Sequence, residues 1–337
     1  MELDLTSLAG KALLITGGTG MIGKWMIDHL LSQVDCKVIL LGRSEEKAKS
    51  RFAAEHWESG RLQFVQWDPS HPTPIVEADG SPLSRSIDYI VHLASNTHPV
   101  AYATDPVSTI VMNVTAAKEL LDFAVAKKVK RFVYASSVEI YGQNRGDCEK
   151  FKEDYCGYIN CNTLRAGYPE SKRCGEALCQ AYIKQYGLDV VIPRIARVYG
   201  PTLLKDDTKA LSQFIHNALN GQDIVLKSEG KQYFSYLHVA DAVSGILTVM
   251  LKGECGRAYN IADEASDIRL CDLATLIAGQ CGRNVVFDLP NESEKEGFSR
   301  AMMALMDGRR AKELGWATRY DIKSGIRMTL ESFHKGM

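Results

Sequence analysis

The sequence predicts an α/β fold of the Rossmann type, in which a doubly wound parallel sheet is followed by a smaller C-terminal substrate-binding domain. The first observation is that short runs rich in Val, Ile and Leu alternate with segments of helical periodicity. Strands that alternate with helices form parallel sheets with right-handed crossovers. The second observation is a glycine-rich turn at residues 17–23, which follows the first apolar run and opens the first helical segment.

Buried strands are predicted where the apolar runs are short and end in turn residues. The helices between them are predicted to begin near Met21, Glu45, Pro106 and Tyr168. The predicted strands lie at residues 12–16, 37–41, 62–67, 87–94, 131–136 and 190–195.

The glycine-rich turn is typical of a dinucleotide site. Glycines at this spacing let the backbone turn sharply and approach a pyrophosphate at the N-terminus of the following helix. A plain structural turn is the alternative. The cofactor-binding residues predicted here are Gly17, Thr19, Gly20, Met21, Ile22 and Gly23.

The pattern loosens after Pro201, where polar loops surround an amphipathic helix predicted at residues 210–219. We predict that residues 1–200 form an NAD(P)-binding Rossmann domain and that residues 201–337 form mainly a substrate-binding domain. One segment near residues 230–250 is expected to return to the first domain. Ligands of open parallel sheets bind at the carboxyl edge of the strands, so the active site is predicted in the cleft between the two parts.

Composition narrows the class of protein. The chain has 337 residues, 45% of them hydrophobic, and a formal net charge of −1 with both signs interspersed, so no nucleic-acid or membrane partner is predicted. No run of 18 apolar residues predicts a membrane span, and the acidic N-terminus is unlike a secretion signal. The nine cysteines lack paired CxxC spacing, which predicts reduced thiols in the cytoplasm and no metal site.

The end of the second strand bears on the choice of cofactor. An NAD site usually offers a carboxylate to the ribose at this place, whereas Arg43 is suited to a ribose phosphate, which favours NADP over NAD. An ordinary surface arginine is the alternative, and NAD stays open. Asp68, after the third strand, is predicted to bind the adenine amino group, with a turn before Pro69 as the other reading.

A tyrosine and a lysine four residues apart predict acid–base chemistry. Residues at this spacing share a helix face, so the ammonium of Lys172 is expected beside the phenol of Tyr168, where it favours the phenolate. Ser137, at a strand end, is placed to hydrogen-bond an oxygen that becomes a carbonyl, and Glu139 adds a carboxylate. Either of these two side chains alternatively satisfies backbone groups.

Several motifs follow one another along the chain: Gly17-x-x-Gly20-x-x-Gly23, His92-Leu93-Ala94-Ser95, Asn113 before a helix, Ser136-Ser137-x-Glu139-x-Tyr141-Gly142, Tyr168-x-x-x-Lys172 and Arg194-x-x-x-x-Tyr199-Gly200-Pro201. In this order they resemble the extended short-chain dehydrogenases, the NAD-dependent epimerase/dehydratase family. The resemblance covers nearly the whole chain. Residues 92–102, 105–107, 137–139 and 165–173 most resemble UDP-glucuronate decarboxylases.

The resemblance implies roles for the motif residues. Tyr168 would remove the proton of a sugar 4-hydroxyl, Lys172 would hold Tyr168 and the nicotinamide ribose, and Ser137 would polarise the reacting oxygen. The resulting 4-keto group leads to epimerisation, dehydration or decarboxylation before the hydride returns. Implied cofactor contacts are Leu93, Ala94, Ser95, Asn113, Ser136, Lys172, Arg194 and Ile195. Implied substrate contacts are Ser95, Asn96, Glu139, Arg197 and Lys231.

Three departures from the family pattern narrow the reaction. Val138 stands where sugar 4,6-dehydratases have an aspartate, which disfavours dehydration. Phe234 stands where an arginine grips the nucleotide diphosphate, and Arg197 replaces an asparagine and is placed to restore that charge. A surface ion pair of Arg197 is the alternative.

Two enzymatic readings remain open. One is a self-recycling nucleotide-sugar epimerase or decarboxylase with tightly held NAD. The other is a net reductase that uses NADPH on a keto-sugar, either free or nucleotide-activated, and Arg43 favours it. A non-catalytic redox sensor is a third reading, which the intact Ser137, Tyr168 and Lys172 disfavour.

A homodimer is predicted through the helices that begin near Pro106 and Tyr168, as in many members of the family. Apolar residues expected on their outer faces are Val111, Leu120, Leu178 and Tyr182. Burial of the same residues against the sheet is the alternative.

Overall fold

The computed structural model describes residues 3–70, 75–76, 80–81, 83–95, 105–204, 207–289 and 302–335. Asn96, predicted to contact the substrate, lies outside these residues.

The main sheet is parallel and runs in the order β3-β2-β1-β4-β5-β7-β11, with β6 paired to the end of β7. The order reverses between β1 and β4, which puts the topological switch point there. The predicted doubly wound sheet is confirmed. Its strands are β1 (Ala12–Thr16), β2 (Lys37–Gly42), β3 (Leu62–Gln66), β4 (Tyr89–His92), β5 (Arg131–Tyr134), β6 (Ser136–Ser137), β7 (Val190–Ile195) and β11 (Ala258–Ile261).

The strand predicted at residues 131–136 is interrupted at Ala135, so β5 and β6 are separate. The carbonyl oxygen of Ala135 accepts a hydrogen bond from Nζ of Lys172 at 2.9 Å. Beyond the interruption, Ser136 and Ser137 pair with Arg194 and Ile195 of β7. Ser137, a candidate catalytic residue, therefore lies at the carboxyl edge of the sheet, just beyond the interruption.

Two helical layers cover the sheet and bury its two apolar faces. Helices α4 and α5 pack against each other on one face, and α1 and α7 lie together on the other. Helices α1, α2, α4 and α5 start within one residue of the predicted positions. The helices are α1 (Met21–Gln33), α2 (Glu45–Arg51), α3 (Ala54–Glu58), α4 (Pro106–Lys127), α5 (Gly167–Tyr186) and α7 (Val239–Lys252).

The C-terminal part builds smaller sheets. Strand β10 pairs in parallel with β8 and β14 and antiparallel with β12, while β9 and β13 form a separate parallel pair. The helix predicted at residues 210–219 is present as α6. The elements are β8 (Arg197–Tyr199), α6 (Ala210–Leu219), β9 (Ile224–Leu226), β10 (Tyr233–His238), β12 (Asp267–Arg269), α8 (Leu270–Cys281), β13 (Val285–Phe287), β14 (Met303–Ala304), α9 (Arg309–Glu313) and α10 (Ile322–Lys335).

Two of the residues expected on a dimer face lie inside the subunit. Leu120 and Tyr182 are buried in the core between the helices and the sheet, so the prediction that they face outward is wrong. Leu178 packs partly against the same core, and Val111 alone of the four has a largely exposed side chain. The helical period explains the error, because α4 and α5 turn one apolar stripe toward the sheet.

None of the helices in the described ranges combines the length and the apolar character that crossing a bilayer requires.

Candidate functional site

The turn between β1 and α1 brings backbone unusually close to the end of β4. Gly17 has a φ of +71°, and a Cβ there would lie 2.7 Å from the backbone nitrogen of Ala94. A Cβ on Gly23 would lie 2.3 Å from the carbonyl oxygen of Gly17. Only glycine fits these two positions, so the backbone of the turn is tightly packed.

The N-terminus of α1 offers donors at the carboxyl edge of the sheet. Gly20 is the N-cap residue, and no side chain of the described residues caps this end. The first-turn N–H groups and the positive end of the helix dipole suit a pyrophosphate. The predicted residues Thr19, Met21 and Ile22 lie in this turn and first helical turn, which fits the dinucleotide the motif implies.

Thr16 and His92 lock the switch point between β1 and β4. The backbone N–H of Ala94 donates to Oγ1 of Thr16 at 3.1 Å, and this hydroxyl lies 2.8 Å from Nδ1 of His92. Burial, with a smaller effect of the nearby Lys172, lowers the pKa of His92 to about 3, so the imidazole is neutral. The bonds fix the segment of Leu93 and Ala94. Thr16 is not among the predicted site residues, although its place at the end of β1 is a signal for such a role.

Tyr168, Ser137 and Ser95 meet at the same edge. Tyr168 lies buried in the first turn of α5, and the hydroxyls of Ser137 and Ser95 act to lower the pKa of its phenol. Ser137 Oγ also accepts from the backbone N–H of Glu139 at 3.2 Å. The structure thus brings together a phenol and two hydroxyls from α5, β6 and the end of β4, beside the glycine turn.

Lys172 lies on the buried side of this group. Its ammonium donates to Ala135 O and stands 5.2 Å from the centroid of the Tyr134 ring. Burial lowers the pKa of Lys172 to about 8.

The ammonium of Lys172 donates to the carbonyl oxygen of Ala135. Burial raises the pKa of Tyr168 to about 12, and the hydroxyls of Ser137 and Ser95 act to lower it. Stabilisation of the phenolate by Lys172 stays a prediction.

Ser136 and Arg194, both predicted to contact the cofactor, are bound to Glu176 instead. Arg194 forms a two-pronged ion pair with the carboxylate, at 3.0 and 2.7 Å, and Nη1 donates to Tyr141 and to the carbonyl of Glu153. Ser136 donates to the same carboxylate at 2.5 Å. This arrangement supports a structural role for both side chains.

Asn113 is the eighth residue of α4, and it does not lie before a helix as the motif suggested. Its Oδ1 accepts from Ser95 Oγ, and its Nδ2 donates to Ser171 Oγ, each at 2.9 Å. Both ends of the buried amide are occupied by the protein, which argues against a cofactor contact through this side chain.

Arg197 and Glu139 form an ion pair. Arg197 Nη2 lies 3.0 Å from Oε1 of Glu139, and Cζ lies 3.8 Å from the centroid of the Phe234 ring. Arg197 Nη1 is buried and has no hydrogen-bond partner among the described residues. Nη1 of Arg197 is thus available to donate to a further acceptor.

The remaining predicted residues differ in their surroundings. Arg43 follows β2 with an exposed side chain. Asp68 accepts from the backbone and hydroxyl of Ser70, which supports the turn reading. Lys231 is a largely exposed partner of Glu229 and finds no support as a substrate contact. Ile195 ends β7 opposite Ser137.

A model of the NAD dependent epimerase/dehydratase family matches residues 13–262. UDP-glucuronic acid decarboxylase 2 of Arabidopsis thaliana is 28% identical over 97% of this chain and 69% of that protein. UDP-glucuronic acid decarboxylase 1 of Xenopus tropicalis is 29% identical over 96% of this chain and 72% of that protein.

Solved structures show the same fold. A dTDP-glucose 4,6-dehydratase of Streptomyces venezuelae with NAD bound has a TM-score of 0.80 at 25% identity, covering 96% of this chain and 97% of that one. A UDP-glucuronic acid 4-epimerase of Bacillus cereus in complex with NAD has a TM-score of 0.78 at 20% identity, covering 97% and 100%. The family predicted from the motifs is confirmed, and the chain belongs to the NAD-dependent epimerase/dehydratase family as an extended short-chain dehydrogenase enzyme.

Proposed function

We propose that this enzyme modifies a nucleotide sugar by hydride transfer at the sugar C4 hydroxyl, through a 4-keto intermediate, as an epimerase or decarboxylase that restores its own NAD. The observation that carries the proposal is the placement of Tyr168, Ser137 and Ser95 at the carboxyl edge of the sheet, beside the glycine turn. The decarboxylases that resemble the chain over nearly its whole length support it.

The proposed roles follow from the hydrogen bonds. Tyr168 exchanges a proton with the C4 oxygen, and Ser137, whose own lone pair is used by the Glu139 N–H, directs its proton toward that oxygen. Lys172 holds the backbone next to Ser136 and Ser137 in place through its hydrogen bond to the carbonyl oxygen of Ala135. A nicotinamide dinucleotide held by the glycine turn supplies the acceptor and donor of the hydride.

The division of labour between the two parts is also proposed. Residues 1–200 hold the dinucleotide, and the returning segment α7 and β11 extends the same sheet, since β11 pairs with β7. The rest of residues 201–337 holds the substrate. Strand β10 of that part pairs with β8, at the end of the first part, and places Phe234 against Arg197, which supports a substrate site where the two parts meet.

Arg197 is the proposed contact for an anionic group of the substrate. Its partner Glu139 occupies only Nη2, and the unpartnered Nη1 is a buried donor. Buried donors without acceptors are costly, so an acceptor supplied by the substrate stabilises the site. A carboxylate or a diphosphate meets that need, and a nucleotide sugar carries at least one of them. The buried Val138 offers no acid for dehydration.

A net reductase that uses NADPH on a keto-sugar is the second candidate. Gly42 and the exposed Arg43 at the end of β2 leave no carboxylate for an unphosphorylated ribose and offer a cation for a phosphorylated one. NAD is the first choice because related structures contain it.

The deciding experiment is mass spectrometry of the products from a panel of nucleotide sugars, with nicotinamide absorbance followed in the same tube. An unchanged mass or loss of carbon dioxide, without net change of NAD, supports the self-recycling enzyme. A gain of two hydrogens matched by loss of NADPH supports the reductase. Cofactor binding without turnover of any sugar would leave the redox-sensor reading and contradict the proposal.

A homodimer in the cytoplasm is proposed as well. Several apolar side chains are exposed near the first turns of α4 and α5, where a second copy would cover them. They are Val107, Ile110, Val111 and Leu164.

A further inference from the structure

A short turn after β8 is bound to the first turn of α1. The turn covers residues 200–203 and is closed by a hydrogen bond from the backbone N–H of Leu203 to the carbonyl oxygen of Gly200 at 3.2 Å. Oγ1 of Thr202 donates to the carbonyl oxygen of Met21 at 2.8 Å. Met21 is the first residue of α1, so this bond reaches the end of the helix that the glycine turn opens.

Arg51, the last residue of α2, holds the same turn from a second side. Its Nη2 donates to the carbonyl oxygen of Thr202 at 3.2 Å. Leu203, the next residue along the chain, is 5% exposed and belongs to the apolar core against which Met21 packs. Residues 200–203 are therefore anchored both by hydrogen bonds and by a buried side chain.

The position of Arg51 is costly for a residue that serves stability alone. The residue is half-buried, and its Nε is buried without a hydrogen-bond partner among the described residues. A buried donor that lacks an acceptor costs free energy, which offsets what the bond to Thr202 contributes to folding. A role in holding the turn against α1 accounts for this cost.

We propose that Thr202, held in place by Arg51, is a positioning residue for the cofactor site, which fixes the first turn of α1 in the orientation that binds a pyrophosphate. This inference rests on the proposed function, in which the glycine turn holds a nicotinamide dinucleotide. Donors that are already fixed lose little further freedom when a ligand binds, so the ligand is bound more tightly and released more slowly. Thr202 lies in residues 201–337, so the part proposed to hold the substrate also holds the cofactor site in shape.

Retention of the dinucleotide matters differently to the two candidate functions. An enzyme that restores its own NAD in each cycle keeps the same dinucleotide from one turnover to the next, whereas a net reductase must release it each time. Strand β8, which carries Arg197, ends at Tyr199 directly before the turn. The bond of Thr202 to α1 therefore favours the self-recycling candidate.

The test is the rate at which the full-length protein, loaded with NADH, releases it. Stopped-flow fluorescence measures this rate after mixing with an excess of NAD. Thr202→Val removes the hydroxyl but keeps the branched shape, and release is expected to be about three- to tenfold faster. Thr202→Ser keeps the hydroxyl and should restore the parental rate. Thr275→Val, which removes an exposed hydroxyl bound to the carbonyl of Cys271 within α8, is the matched control and should release NADH at the parental rate.

Arg51→Met is the second variant, and it carries the test if Thr202→Val does not fold. It frees the carbonyl of Thr202, so faster release is expected again. In the Thr202→Val background it should cause no further increase, because the turn no longer reaches Met21 there. A parental rate in the folded variants, or an equal increase from Arg51→Met in both backgrounds, would overturn the proposal. The measurement uses no sugar, so that result leaves the proposed function standing, whereas absence of turnover with the sugar panel counts against the proposed function alone.

Discussion

The guanidinium of Arg197 lies over the ring of Phe234, with Cζ 3.8 Å from the ring centroid. The strand register explains the contact, because β8 pairs in parallel with β10 and places Arg197 opposite Tyr236. Phe234, two residues earlier, projects to the same face of β10. The aromatic face supports the cation, and Glu139 holds one of its edges. Two of the three departures from the family pattern, Phe234 and Arg197, are thus in direct contact.

Arg197→Ala is expected to lower kcat/KM for the nucleotide sugar by roughly ten- to a hundredfold, because a charge-assisted hydrogen bond to the substrate anion is lost. Arg197→Lys keeps the charge but not the planar fork, and an intermediate loss is expected. Steady-state kinetics measure both. Arg257→Ala, an exposed arginine paired with Glu254, is the matched control. Equal kinetics for Arg197→Ala and this control would remove Arg197 from the substrate site.

Tyr168→Phe is expected to lower turnover by at least about a thousandfold, because the proton donor and acceptor at the C4 oxygen is removed. Cofactor affinity, measured by fluorescence titration, should change little. Tyr186→Phe alters an exposed tyrosine near the end of the same helix and serves as control. Turnover that survives in Tyr168→Phe would sink the assignment of this residue.

Local patterns predicted the strands of the main sheet except β11, the starts of the helices that begin near residues 21, 45, 106 and 168, and the glycine turn, because burial and backbone geometry are reflected in neighbouring residues. Side-chain partners across the fold were not predictable in this way. Glu176, which binds Ser136 and Arg194, carried no motif of its own. The spacing places Lys172 beside Tyr168 on the helix. It does not predict that Lys172 donates to the carbonyl of Ala135 or that burial raises the pKa of Tyr168.

The family pattern also misplaced residues whose position depends on packing. Asn113 belongs to a recognisable motif, yet its amide is used inside the protein by Ser95 and Ser171. Leu120 looked like a dimer contact in the sequence, and the sheet buries it. A periodic apolar stripe on a helix does not predict whether the sheet of the same subunit or a second subunit covers it.

Arg43→Asp is expected to shift the ratio of affinities from NADP toward NAD by roughly tenfold or more, because a carboxylate repels the ribose phosphate and accepts from ribose hydroxyls. Isothermal titration with both cofactors measures the ratio. Lys49→Asp, on the exposed side of α2, makes the same charge change outside the predicted pocket. An unchanged ratio in Arg43→Asp would mean that the side chain does not reach the ribose.

Gly23→Ala is expected to destabilise the fold by about 1–3 kcal/mol and to weaken cofactor binding, since the new Cβ would stand 2.3 Å from Gly17 O. Gly279→Ala is the matched control within a helix, because nothing lies within 4 Å of a Cβ there. The free energy of unfolding of that control should rise by about 0.5–1 kcal/mol, because alanine has a higher helix propensity than glycine. Urea unfolding compares the variants, and equal gains at both glycines would show that the turn is loose.

Lys172→Met is expected to make the protein more stable while removing activity. The pKa of Lys172 is about 8 in the folded protein against an ordinary 10.5, so the unfolded chain binds the proton more strongly between these values. Stability therefore rises with pH from about 8 to 10.5, and below 8 the full penalty of about 3 kcal/mol applies. Losing the bond to Ala135 O costs about 1 kcal/mol, which leaves a net gain of about 2 kcal/mol at pH 7.

Urea unfolding at pH 7 and near pH 10.5 measures this balance. The gain of Lys172→Met should be present at pH 7 and vanish near pH 10.5, where the folded lysine is already neutral. Lys184→Met, at an exposed position of the same helix, should show neither effect. A variant no more stable than the parent at pH 7 would mean that the buried ammonium is well compensated. The expected result would show that Lys172 is kept at the site for the reaction and not for the fold.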